Sequence, residues 1–229
     1  MSKKIIVALD LNNLKKSVKL AKNLNSEAFG FKIGHEFFYN FGLEGYKKIY
    51  KICPRIFLDL KLHDIPNTVE KGLRAIIKLK PIFTTIHICG GDQMQKISKI
   101  KSNKKTKILG VTILTSLDKK QTYKYYKENN LKMLVKKFSI YAKENGINGL
   151  VCSPLEIESI RKAIGKKMIL VVPGIRLEKK LLNKKDDQKR TLGPKEAIKL
   201  GADFLVIGRP ITESKNPLLT IKSINLLTQ

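Results

Sequence analysis

A chain of 229 residues with 42% hydrophobic content is long enough to bury a sizeable core and suits one large domain or two small ones. No apolar run is long enough to cross a bilayer, the start Met1-Ser2-Lys3-Lys4 lacks the long apolar region of a secretory signal, and Cys53, Cys89 and Cys152 are scattered singletons without metal-site spacing, so a cytoplasmic protein with reduced thiols and no membrane partner is expected. The net charge of +27 points toward nucleic acid, but the excess is lysine spread over nearly every helix-like segment, without an aromatic-studded stripe or basic tail, so a nucleic-acid partner is not expected.

In chain order, Lys4 to Leu9 is a β-rich apolar run ending at Asp10. Asn12 or Asn13 can cap the amphipathic helix that follows, with Leu14, Val18, Leu20, Ala21 and Leu24 on its apolar face. Phe29 to Gly34 is a second strand with Lys32 near its end, and helical sequence from Glu44 to Ile52 leads into a third, Arg55 to Leu58. Val69 to Leu79 has helical period and stops before Pro81. Phe83 to Ile88 is the fourth strand, residues 92 to 101 are helical, and Lys107 to Leu114 is the fifth strand, closing at Thr115. A helix from Leu131 to Asn145 stops at Gly146, and Gly149 to Cys152 is the sixth strand, turning at Ser153-Pro154. Met168 to Val172 is the seventh, ending in Pro173-Gly174-Ile175-Arg176. The polar stretch Leu177 to Gly193 is longer than an ordinary connection and predicts a functional loop. Pro194 opens another helix, and Phe204 to Gly208 is the eighth strand, followed by Arg209-Pro210 and a final helix.

Eight apolar strands alternating with helices, each strand hydrophobic enough to be buried on both faces, predict a single-domain α/β fold over residues 1–229, a closed (β/α)8 TIM barrel. A doubly wound open sheet is the alternative, because alternation alone does not show closure. In a barrel the carboxyl ends of all strands meet at one rim. That rim gathers Asp10, Lys32, Asp59, Lys61, Thr115, Ser153, Arg176 and Arg209.

The densest of these charges lie in Asp59-Leu60-Lys61-Leu62-His63-Asp64-Ile65-Pro66-Asn67-Thr68-Val69. Strand alternation points Asp59 and Lys61 the same way, and such charges at the end of a buried strand are costly to desolvate unless paired or used. A surface ion pair is the plainer interpretation; three charges packed at a strand-to-helix junction favour an active site. Interleaved lysines and carboxylates keep one another ionised and shift one another's proton affinities, as acid–base chemistry needs. Gly208-Arg209 after the eighth strand, with the loop after the seventh, lies where barrels bind phosphate. His63 and His87 read as structural or lining residues and His35 as a surface one, and no Ser-His-Asp order, P-loop or dinucleotide fingerprint occurs.

At this point the motif resembles the orotidine 5′-phosphate decarboxylase family along its full length. The similarity continues through Val7-Ala8-Leu9-Asp10, Phe31-Lys32-Ile33-Gly34, Leu114-Thr115-Ser116, Val151-Cys152-Ser153, Pro173-Gly174-Ile175-Arg176, Asp187-Gln188-Lys189-Arg190 and Gly201 to Pro210. The resemblance implies cofactor-free and metal-free loss of CO2 from orotidine 5′-monophosphate to give uridine 5′-monophosphate in pyrimidine synthesis. It implies a charged tetrad of Lys32, Asp59, Lys61 and Asp64, with Lys61 as the proton donor and Asp64 reaching in from the other subunit of a homodimer. Asp59 would crowd the substrate carboxylate, Lys32 would hold the network and a ribose hydroxyl, Asp10 would contact the ribose or base, and Thr68 would contribute from the partner. Thr115 and the backbone near Ser153 would flank the pyrimidine, while Arg176, Gln188, Gly208 and Arg209 would grip the phosphate. The Leu177–Gly193 segment would be a mobile lid. Departures are small: Gly193 stands where the family more often has threonine, and a lysine-rich insert separates Arg176 from Gln188. Phosphosugar barrels of the same superfamily, among them hexulose-phosphate synthases, are the nearest alternative; they use the second carboxylate of the motif for a magnesium ion.

Overall fold

Successive side chains of a strand point to opposite faces, so a barrel strand divides its residues between the lumen and the surrounding helices. The computed structural model, which describes residues 3–99, 105–177 and 192–229, follows that division. Its eight parallel strands are β1 (Ile5–Ala8), β2 (Gly30–Ile33), β3 (Ile56–Leu62), β4 (Phe83–His87), β5 (Lys107–Val111), β6 (Gly149–Val151), β7 (Ile169–Val172) and β8 (Phe204–Ile207). They pair in sequence order, and β8 returns to β1 through Ile5–Leu205, Ile6–Val206 and Val7–Ile207, closing the barrel. The open-sheet alternative is thereby excluded.

Two buried clusters result. Ile6, Ala8, Phe57, Phe83, Leu109, Val111, Val151, Val171 and Val206 fill the lumen, with Phe57 and Phe83 meeting edge to face at 5.9 Å. Their neighbours one residue along, such as Ile5, Val7, Leu58, Ile108, Leu150 and Leu205, pack outward under the helices. Each buried Leu, Ile or Phe is worth about 1.5–3 kcal/mol. The lumen is therefore a packed plug, and the next inward position beyond it on each strand faces the rim.

Helices α1 (Leu14–Leu24), α2 (His35–Ile52), α3 (Pro66–Lys78), α4 (Gly91–Lys96), α5 (Lys119–Tyr126), α6 (Leu131–Glu144), α7 (Ile157–Ile164), α8 (Pro194–Lys199), α9 (Arg209–Thr212) and α10 (Pro217–Leu227) surround the strands. Asn13 caps α1 by accepting the Lys16 amide, and Pro66 opens α3 one turn before the helical period becomes readable at Val69. Strand β5 ends at Val111, three residues short of the expected Leu114, and four further elements depart from the sequence expectation. Helix α2 starts at His35 rather than Glu44, because Gly42 at φ +51 breaks its backbone and leaves just the second half readable by period. Helix α4 ends at Lys96 and tightens into a 3-10 turn over Ile97–Lys99. Helix α5 lacks an apolar stripe, burying Thr122 alone; its signal is the cap, where Asp118 accepts the Gln121 amide. Strand β3 runs on through the charged motif to Leu62, with a shift of register against β4 between Leu58 and Leu62.

Candidate active site

The shift of register in β3 is where the site is made. Lys61 sits in the left-handed region at φ +47, which a lysine adopts at a cost of about 1–2 kcal/mol. The turn leaves Asp59 and Lys61 on the same side, as strand alternation predicts, with Lys61 Nζ 2.8 Å from Asp59 Oδ2. The same oxygen lies 3.8 Å from Lys32 Nζ, brought in from the next strand by the Lys32–Phe57 register. Lys32 Nζ in turn lies 3.1 Å from both carboxylate oxygens of Asp10, just past β1. The result is an unbroken row of alternating charges, Asp10, Lys32, Asp59 and Lys61.

Burial graduates along that row. The side chain of Asp59 is 7% exposed, those of Lys32 and Lys61 12% and 28%, and that of Asp10 45%. Burial alone would raise the Asp59 pKa, but the charges of Lys32 and Lys61, with hydrogen bonds from Lys61 and Thr85, outweigh it and hold the carboxyl below its usual range. Asp59 is thus a fixed anion under the cavity at any physiological pH. His87, on the inward face of β4, behaves oppositely: burial, then the electrostatic influence of neighbouring His63 and Lys61, push it down to about 4. It is neutral at pH 7 and adds no cation beside Lys61. His63 is exposed, with its ring 5.3 Å from that of His87, and His35 is exposed as expected, its Nε2 3.0 Å from the Leu60 carbonyl.

The charges form one wall of a cavity of about 460 Å3 at the carboxyl ends of the strands. Phe57, Val111, Val151 and Val206 contribute its apolar floor, and Thr115 and Cys152 its side. Arg176, Gly208 and Arg209 also line it. Ser153 is fully buried and caps the turn below, its Oγ accepting the Leu155 amide at 3.4 Å while Glu156 accepts its own amide at 3.2 Å. Asp64 and Thr68 are exposed and do not join the cavity within this chain; Asp64 instead accepts the amide of Ile65 at 2.6 Å. Gln188 and all but the ends of the expected lid lie outside the described residues. Those ends are tied together, since the Arg176 amide donates to the Leu192 carbonyl at 3.0 Å.

Three features of the site were not anticipated from sequence. Thr85, completely buried on β4, accepts the Lys61 amide and donates to Asp59, both at 2.9 Å. Glu36 and Glu213 add carboxylates to the lining. Gly34 leaves room for the first ion pair: a Cβ there would stand 2.7 Å from Asp10 Oδ1 and 2.8 Å from Lys32 Nζ. The backbone of Gly34, at φ −98, accepts alanine, so Gly34→Ala is expected to fold normally but displace the pair. Turnover should fall about 10- to 100-fold with little change in thermal midpoint. Unchanged turnover would show that the Asp10–Lys32 geometry is dispensable.

Residues 3–224 match the family described as "Orotidine 5'-phosphate decarboxylase / HUMPS family". The chain is 43% identical over 214 residues to the orotidine 5′-phosphate decarboxylase of Wolbachia pipientis subsp. Culex pipiens, covering 93% of each chain. It is 42% identical over 228 residues to that of Aquifex aeolicus, covering 96% of this chain and 95% of the other. Among solved structures, the orotidine 5′-phosphate decarboxylase of Lactobacillus acidophilus superposes with a TM-score of 0.83 at 34% identity and full coverage of both chains.

Proposed function

The chain belongs to the orotidine 5′-phosphate decarboxylase / HUMPS family, and from that membership we propose a specific chemistry for its charged row. The reaction is decarboxylation of orotidine 5′-monophosphate to uridine 5′-monophosphate, a step of pyrimidine biosynthesis. As the carbon–carbon bond to the carboxylate breaks, CO2 departs and the bonding electron pair stays on the ring carbon. Without an electron-sink cofactor that pair is localised, so its stabilisation falls to a cation held beforehand in a water-poor site. Lys61 is that cation, and a proton from its Nζ completes the new C–H bond. The amine then regains a proton from solvent.

The observation that carries this reading is the single oxygen Asp59 Oδ2, shared by Lys61 at 2.8 Å and Lys32 at 3.8 Å beneath the cavity. Its buried anion aims Lys61 and crowds the substrate carboxylate, a repulsion relieved when CO2 leaves. Lys32 also holds a ribose hydroxyl, and Asp10 contacts the ribose or base. Thr115 and the backbone around Ser153 flank the pyrimidine. The phosphate lies against Arg176, Gly208 and Arg209, with Gln188 completing the grip, and this remote binding energy holds the reacting end in place. The acting unit is a single-domain barrel paired as a cytoplasmic homodimer, in which Asp64 and Thr68 serve the neighbour's site.

The decisive assay follows the ultraviolet absorbance of orotidine monophosphate on addition of the protein, with and without a chelator. Turnover that survives chelation is expected. Strict dependence on magnesium would instead favour the phosphosugar members of the family.

A further inference from the structure

Thr84 and Thr85 are adjacent, both fully buried, and chemically alike, yet they sit in opposite situations. Thr84 Oγ1 has no hydrogen-bond partner among the described residues. Thr85 Oγ1 sits between the Lys61 amide and Asp59 Oδ1, 2.9 Å from each. We propose that Thr85 is a positioning residue of the active site, whose hydroxyl fixes both the orientation of the Asp59 carboxylate and the left-handed backbone of Lys61. The inference rests on the decarboxylation reading above for its kinetic consequence, though not for its electrostatic one.

A hydroxyl has one proton. The Lys61 amide occupies its acceptor side, so that proton points at Asp59 Oδ1. Oδ1 is thereby engaged, and the carboxylate presents Oδ2 to Lys61 and Lys32. Protonating Asp59 on Oδ1 would set two donors face to face, so the arrangement accepts the anion and resists the acid. The groups around that carboxylate are Lys32 from β2, Lys61 from β3, and Thr85 with neutral His87 from β4, with Asp10 beyond Lys32. The second bond acts on the backbone. The register shift between Leu58 and Leu62 interrupts the β3–β4 ladder at the catalytic lysine, and the Thr85 hydroxyl takes up the Lys61 amide there. One side chain thus holds the lysine and its counter-ion relative to each other.

Thr85→Val keeps the shape and removes the hydroxyl; Thr85→Ser keeps the hydroxyl and loses a methyl; Thr84→Val is the control for threonine loss in a buried strand. Thr85→Val is expected to lower kcat about 10- to 100-fold, with KM within about 3-fold because the phosphate contacts are untouched. The acid limb of its pH–rate profile should move to higher pH, since a hydrogen bond that favours ionised Asp59 is gone. Thr85→Ser should return to within a few fold of the parent, and Thr84→Val should match it. Titrating the Asp59 carboxyl by carbon NMR needs no turnover: its midpoint should rise in Thr85→Val and stay low in Thr85→Ser. An unmoved midpoint in Thr85→Val, or serine and valine variants equally impaired at equal thermal stability, would overturn the proposal. Absence of turnover in the parent would instead count against the decarboxylase reading and leave the NMR result to decide the role of Thr85.

Discussion

Lys61→Ala is expected to reduce decarboxylation of orotidine monophosphate by at least about 10^3-fold while changing substrate affinity far less. Two contributions are lost together. A positioned proton donor is worth about 10^2- to 10^4-fold, and a preorganised charge facing a developing anion is worth about 10^2- to 10^3-fold. The local electrostatics also invert. Asp59 Oδ2 would keep Lys32 at 3.8 Å but lose its 2.8 Å partner, so the charge beneath the ring would become more negative where the carbanion forms. Lys61→Arg separates the two contributions: guanidinium preserves a cation but holds its proton too tightly to donate it. Arginine that restores most of the rate would show that charge suffices, whereas arginine as inert as alanine would assign the proton to Lys61. Alanine turning over within about 10-fold of the parent would remove Lys61 from the mechanism.

Mixing inactive Lys61→Ala with inactive Asp64→Ala is expected to regenerate activity. If Asp64 acts in the neighbour's cavity, each mixed dimer contains one site with both native groups and one with neither. Random exchange then gives up to about a quarter of the parent activity from two preparations that separately have almost none. The geometry behind this is the exposure of Asp64 and Thr68, which do not meet the cavity of their own chain, together with the unburied Ile65 between them. No recovery after subunit exchange has been verified by mass would place Asp64 outside the shared site.

Much of the barrel was legible because its signals are local. Most strands are short runs rich in Ile, Val, Leu and Phe, and the breaks between them carry caps, glycines or prolines. Where local signal was weak the expectation failed: Gly42 hid the first half of α2, and the polar α5 was not anticipated. The charged row was legible for a related reason: Asp10 lies just past β1, Lys32 near the end of β2, and Asp59 and Lys61 along β3 toward its end, and barrel closure sends strand ends to one rim.

The sequence by itself determined which side chains are available at that rim and, through alternation along β3, that Asp59 and Lys61 face together. It did not reveal how a strand could place them so closely, because that depends on a partner strand. The shift of register against β4, the left-handed Lys61 and the hydroxyl of Thr85 beneath it exist because β4 packs alongside. In sequence Thr85 is one of two like neighbours in an apolar run; the pleat turns one toward the charges and leaves the other's hydroxyl without a partner among the described residues. Closure itself was likewise undecided until Ile6 paired with Val206, since hydrogen bonds between residues 200 apart leave no mark on either segment alone. Composition and spacing specify the groups; distances such as the 2.8 Å between Lys61 and Asp59 belong to the packed strands, and the chemistry depends on those distances.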